Sequence, residues 1–293
     1  KDVIERQLEQ TDSDDDVALE RRLQGTVQDG LLRDFHGRSD ELGKIRDYVS
    51  RGGGNRPLAL IGVSGSGKSS VMAAAIHETM KAVPSKVFYR FIGTSSDSST
   101  TASTLRSLLH EICLTWGTTL TDFLRDKNLN TDIQDENNIL TAFGQLISDE
   151  KIFENQPLVI FLDALDQLPD KEWNSLYWLP SHLPDNVKII VSAIPILESR
   201  LSVCASMELS KLGNDVALNI LESWQKRHRR NLIDQQKNLI LQRFQKTGSP
   251  LYLKLAFEIS RNWTSYQRDV SLGETVEDIV NGYFDQLEKD FPE

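Results

Sequence analysis

Read along the chain, apolar positions change their period twice, and those changes lay out the architecture. Residues 19–32 are mixed and helical in spacing, and Leu42, Ile45 and Tyr48 recur at helical intervals behind Ser39 or Asp40, either of which suits a helix start. Glycines 52–54 and Pro57 then break the chain, and residues 58–63 form an apolar run of strand length. Small and apolar residues from 68 to 80 predict a helix, and residues 86–92 (KVFYRFI) predict a strand. Nine Ser or Thr among residues 94–104 are too polar to pack alone, predicting a surface loop that caps a helix over 103–116. Residues 118–136 are polar, and helical spacing resumes at 138–147. Residues 158–162 are continuously apolar and end at Asp163, the pattern of a strand buried on both faces in a parallel sheet. A helix near 171–178, a buried strand at 187–191 and a short strand at 207–209 complete this half. From residue 215 onward every periodic segment is helical: 216–227, 234–247, 250–262 and 275–291.

The pattern therefore predicts an α/β fold: a parallel sheet flanked by helices, followed by a small all-helical domain. The expected parts are an acidic linker or helical segment over 1–33, a phosphate-loop domain over 34–210, a helical lid over 211–270 and the start of a further domain over 271–293. Composition adds limits. With 293 residues, 39% hydrophobic, 17 Gly and 9 Pro, the chain is neither disordered nor low in complexity. Its net charge of −10 argues against coating nucleic acid or an anionic membrane. Six of those negative charges fall in residues 1–20, which read as a solvated connection. No apolar run is long enough to span a bilayer. Cys113 and Cys204 lack metal-ligand spacing and read as buried thiols of a reducing, cytoplasmic setting.

The chemistry is concentrated after the first strand. Gly62, Val63, Ser64, Gly65, Ser66, Gly67, Lys68 and Ser69 match the phosphate-loop pattern G-x-x-x-x-G-K-[ST] at every position, between a strand and a helix. Glycines let backbone N–H groups curl around a phosphate, and the helix start, with Ser70 in its first turn, adds further N–H groups. Lys68 is placed to reach the β and γ phosphates, and Ser69 to ligate Mg²⁺. Asp163, at the C-terminal end of a buried strand, is the expected second metal-holding group. Asp166, three residues on, would orient an attacking water or, as a blander alternative, would cap the next helix.

Residues 158–166 (LVIFLDALD) resemble the second motif of the NACHT NTPases, which belong to the STAND class of signal-transduction ATPases. The segment 35–38 (FHGR) resembles the entry motif of that class, and residues 89–95 and 248–256 are similar to its nephrocystin-like and telomerase-associated branch. The resemblance, covering residues 34–290, implies ATP or ADP with Mg²⁺ as ligands and a slow, Mg-dependent ATPase switch. It also implies self-association in the ATP state, an upstream effector domain, a winged-helix domain of which residues 271–293 are the truncated start, downstream sensor repeats and, commonly in the class, a defence role. It places Arg38 against the nucleotide and Pro250 on the base; Pro250 also reads as an ordinary first-turn proline. Ser192 falls where the class senses the γ phosphate, but many members carry Arg nearby, and Gln167 stands where Glu is usual. Those departures leave a second reading open, a nucleotide-binding scaffold with negligible hydrolysis. The basic run at 226–230 is the single feature favouring nucleic acid, and it equally suits a solvated helix terminus. Trp173, Tyr177 and Trp178 read either as core or as a partner-binding face.

Overall fold

The computed structural model describes residues 2–51, 56–82, 87–149, 157–264, 266–267 and 270–290, with side chains except at 2–14, 170, 173–175 and 286–290. Glycines 52–54 and Trp173 thus lie outside the residues described in full. The elements are α1 (Asp2–Leu32), α2 (Ser39–Ser50), β1 (Leu58–Ile61), α3 (Lys68–Ala82), β2 (Val87–Phe91), α4 (Thr101–Thr115), α5 (Leu120–Asp126), α6 (Glu136–Ser148), β3 (Leu158–Asp163), β4 (Val187–Ala193), β5 (Ala205–Glu208), α7 (Asn214–Arg227), α8 (Asp234–Thr247), α9 (Pro250–Ser260) and α10 (Val276–Asp290). They divide into two compact units, residues 1–33, 39–62 and 68–208 in the first, residues 34–38, 63–67 and 209–293 in the second.

In the first unit the five strands form one sheet in the order β2-β3-β4-β1-β5, and every neighbouring pair is parallel. Every residue of β1, β3 and β4 is buried, which is why β1 and residues 158–162 read as unbroken apolar runs instead of alternating ones; β4 carries the buried Lys188 and Ser192 among its apolar residues. The core continues through Leu105, Leu108, Leu109 and Ile112 of α4 and Ile139, Phe143 and Leu146 of α6. Burial pushes both free thiols, Cys113 and Cys204, up to about 12, so each stays protonated. In the second unit α7–α10 enclose a separate core around Leu221, Ile240, Phe244, Tyr252, Phe257 and Ile279. Gly248, with φ of 62°, ends α8 in the left-handed region, and Ser249 caps α9 by accepting from the Tyr252 N–H at 3.4 Å.

Several expectations change. Of the two readings of residues 1–33, linker or helical segment, the backbone is helical: α1 runs from Asp2 to Leu32, and instead of being solvated throughout it buries a stripe of Val17, Glu20, Gln24 and Gln28 while Leu19 and Leu23 are exposed. The stripe is mostly polar because it packs on polar groups of β2 and the segment after it. Arg90, fully buried on this edge strand, binds Glu111 at 2.8 Å and faces Glu20 at 3.7 Å, while Arg21 binds the other Glu111 oxygen at 2.8 Å. The Gln24 carbonyl accepts from the Phe91 N–H at 2.7 Å, supplying an acceptor on the sheet edge.

The Ser/Thr-rich segment is likewise not a plain surface loop. Residues 96–98 form a 3₁₀ turn, Ser98 is fully buried, and Gln24 donates to Thr94 and Ser98. A short helix, α5, occupies part of the polar stretch 118–136, capped by the Thr119 side chain. Residues 170–178 wind as a 3₁₀ helix between Pro169 and Pro180, so Tyr177 is 71% exposed while Trp178 is buried against Phe143. Those two aromatics therefore share no single face.

Candidate functional site

The ends of β1, β3 and β4 deliver the reactive side chains, as expected for an open parallel sheet, where ligands gather at the strand carboxyl ends. Within the first unit, the Gly62 N–H donates to the Ala193 carbonyl at 3.2 Å, which fixes where the chain leaves β1. At the start of α3 the Lys68 ammonium donates to the Gly62 carbonyl at 2.7 Å and is buried. Desolvation draws its pKa below the ordinary lysine value, opposed by the charges of Asp166 and Asp163.

Asp163 closes β3 and is 3% exposed. Burial pushes its carboxyl up, and hydroxyl hydrogen bonds from Ser192 and Ser69 and the charge of Lys68 pull it back. Thus the expected metal pair, Ser69 and Asp163, is in direct contact. Ala164 follows in the left-handed region at φ of 60°, turning the chain so that Asp166 comes to the same corner. One Asp166 oxygen, Oδ1, is buried without a partner, and Gln167 packs against Gly93, where an added Cβ would sit 3.2 Å from the glutamine side chain.

Residues 63–67, the curl of the phosphate loop, cluster with the second unit. Gly65 and Gly67 have φ of 75° and 92°, values that only glycine adopts at little cost. The Gly65 carbonyl accepts from the Leu251 N–H at 3.2 Å and from the Ser249 hydroxyl at 3.3 Å, and a Cβ on Gly65 would lie 2.8 Å from Leu251. Pro250, at the first turn of α9, sits beside Gly67, 3.4 Å from where its Cβ would be. Arg38, itself at φ of 65°, donates to the Ser66 carbonyl at 3.1 Å and to the Ser210 carbonyl at 2.6 Å. Its guanidinium thus braces the loop backbone. Ser64 is exposed, and Ser66 Oγ is buried with no partner.

Sequence reasoning did not anticipate Ser249 and Leu251 on Gly65, nor the bond from Ser192 to Asp163. Pro250 did read as a first-turn proline, but the residues across from the start of α9 were not legible.

The basic run at the end of α7 is partly engaged within the second unit: Arg227 pairs with Asp34, and His228 packs on Phe257 at 5.5 Å.

A protein-family model described as an AAA ATPase domain matches residues 34–191, more than half of the chain. The chain belongs to the AAA ATPase domain family. The NACHT and WD repeat domain-containing protein 2 of Mus musculus is 27% identical over 312 residues, covering 98% of this chain and 17% of that protein. The NACHT domain- and WD repeat-containing protein 1 of Homo sapiens is 25% identical over 273 residues, covering 88% of this chain and 17% of that protein. The likeness to NACHT NTPases drawn from residues 158–166 is therefore met by relatives bearing that name. Among solved structures, a STAND protein with a tetratricopeptide repeat sensor from Pyrococcus horikoshii aligns at 19% identity and a TM-score of 0.48, over 88% of this chain and 33% of that one. The chain spans about one sixth of the length of the curated relatives it matches. No helix among the described residues is long and apolar enough to cross a membrane.

The donor set fits a magnesium-bound nucleotide. Among the described residues no group of three or more His, Cys, Asp and Glu could hold a metal alone. A hard cation here would take one hydroxyl and one carboxylate from the protein and the rest of its oxygens from phosphate and water. Within the first unit, Asp166 Oδ1, one of the buried oxygens without a hydrogen-bond partner, lies close enough to Lys68 and Asp163 to act on the charge of both.

Proposed function

We propose that the chain binds ATP or ADP with Mg²⁺ and hydrolyses ATP slowly, as the switch of a larger multidomain protein. One observation carries this reading: Lys68 and Ser69, the last two residues of the phosphate loop, meet Asp163 at the end of β3. Lys68 would hold the β and γ phosphates, exchanging its bond to Gly62 for phosphate oxygens. Ser69 and Asp163 would hold the metal, whose charge, when bound, neutralises the phosphate oxygens. Asp166, with one oxygen free to accept, would orient the water that attacks the terminal phosphate. Gly62, Ser64, Gly65, Ser66, Gly67 and Ser70 would supply the cradle and helix-start contacts, and Arg38 would keep the loop curled for them.

The bonds from Ser249 and Leu251 to Gly65 give nucleotide state a lever. A phosphate drawn into the loop competes for the orientation of its peptide groups, so the two nucleotides would hold the start of α9 differently. Opening, self-association in the ATP state, and sensor repeats beyond this segment follow from that reading and from the NACHT relatives, as does a cytoplasmic setting. A role in defence belongs to the same proposal.

The Gln167 amide, beside Asp166 where the resembling motif carries an acid, favours a second reading: binding with negligible turnover. Single-turnover hydrolysis of ATP and GTP, beside Lys68→Ala and Asp166→Asn, separates the two. Hydrolysis that Asp166→Asn abolishes supports the switch; binding with no phosphate release by the unmutated chain supports the scaffold.

A further inference from the structure

Ser192 occupies the last part of β4, where the resemblance expects a group that senses the terminal phosphate. The geometry shows the one proton of its hydroxyl already committed. Ser192 Oγ lies 2.5 Å from Asp163 Oδ1 and 2.8 Å from the Ala164 nitrogen. A backbone N–H can only donate, and an ionised carboxylate can only accept, so with Asp163 in the charged form that holds a metal the proton assignment is fixed. The hydroxyl gives its single proton to Asp163 and takes the Ala164 N–H on a lone pair. No donor remains for a phosphate oxygen.

The backbone explains why the side chain reaches both partners. β3 and β4 are parallel, with Leu162 opposite Val191, which sets Asp163 and Ser192 one step further along the same edge. The left-handed turn at Ala164 then swings its N–H back toward β4. Ser192 is fully buried. Its hydroxyl thus ties two consecutive residues, the carboxylate and the peptide that begins the turn to Asp166.

We propose that Ser192 is a positioning residue for the metal-holding carboxylate: its hydroxyl fixes the orientation of Asp163 and does not read the terminal phosphate. This rests on the nucleotide-binding reading above. Groups that orient a ligating side chain typically change metal affinity about 10- to 100-fold when removed. A phosphate sensor would instead change the preference for ATP over ADP.

The test is the affinity of a fluorescent ATP analogue and its ADP counterpart, titrated with Mg²⁺ and repeated in EDTA, for the unmutated chain, Ser192→Ala and Ser192→Cys. In Ser192→Ala the Mg²⁺ half-saturation is expected to rise about 10- to 100-fold. The EDTA affinity and the ATP-to-ADP ratio are expected to stay within about twofold of the unmutated chain. Ser192→Cys, similar in size and a weak donor, is expected between the two. Should Ser192→Ala not fold, the pair Ser192→Thr and Ser192→Val carries the test, because they share a shape and differ in the hydroxyl; Thr is expected to keep the lower half-saturation. An unchanged Mg²⁺ half-saturation overturns the proposal, as does a collapsed ATP-to-ADP ratio at an unchanged half-saturation. A structural role alone would move the melting temperature and none of these ratios. Failure of the unmutated chain to bind the analogue would sink the nucleotide-binding reading and this inference with it.

Discussion

Two of the clusters of buried charge in the first unit are built on opposite rules. At the edge of the sheet Arg90 is enclosed by Glu111, Glu20 and the Ser107 hydroxyl, with Arg21 closing the far side of Glu111. Opposite charges and hydrogen bonds meet there in full, an arrangement that fixes geometry and leaves nothing for a ligand. At the ends of β1 and β3 the balance is deliberately poor: Lys68 and Asp163 are both pushed toward their neutral forms by burial, and Asp166 keeps an oxygen without a partner. Under the proposed function, an arriving phosphate and metal would offset that cost of burial.

The contrast can be tested from both ends. Replacing Arg90 by Met takes the buried cation from Glu20 and leaves Glu111 only its bond to Arg21, and is expected to cost about 3–5 kcal/mol in chemical denaturation. Loss below about 1 kcal/mol would mean that the cluster is no more than a surface pair. Gln24→Ala orphans the Phe91 N–H on the edge strand and is expected to cost about 1–3 kcal/mol, with amide exchange at Phe91 accelerated first. Gly65→Ala combines a positive φ with a Cβ 2.8 Å from Leu251; a cost of about 1–2 kcal/mol is expected, read as a lower melting temperature.

The smallest effect concerns pH. Burial, with Arg106 nearby, holds the His110 imidazole below its ordinary value of 6.5, against the opposing pull of Asp16 and Asp97. The unfolded chain then takes up a proton before the folded one, so stability rises with pH through this window and falls as pH drops below about 6.5. His110→Gln should flatten that part of a stability-against-pH curve.

The two regions also differ in how far they could be read from residues alone. The phosphate loop and Asp163 were legible because their chemistry demands fixed residue types at fixed spacing, and the sheet because strands buried on both faces are continuously apolar. The edge cluster was not. Reading α1 by hydropathy points to Leu19 and Leu23, whereas the buried side is Val17, Glu20, Gln24 and Gln28, and the polar members find partners 45 to 75 residues away. Hydropathy carries no record of such a match. Residues 94–104 misled for the same reason, since Ser98 is fully buried by hydrogen bonds that compensate its polarity. Ser192 illustrates a third limit: its place in the chain was plain, but which partner took its one proton was not.

The central claim is that Lys68 is held in reserve for phosphate, unlike Arg90, which is held for the fold. Calorimetric titration of Mg²⁺–ATP into the unmutated chain and into Lys68→Ala, with denaturation curves for both, tests it most directly. The account predicts one bound equivalent in the unmutated chain, and in Lys68→Ala an affinity weaker by about ten- to a hundredfold, from the loss of a charge-assisted bond of about 1.5–3 kcal/mol, with cooperative unfolding retained. Equal affinity in the two proteins would contradict it.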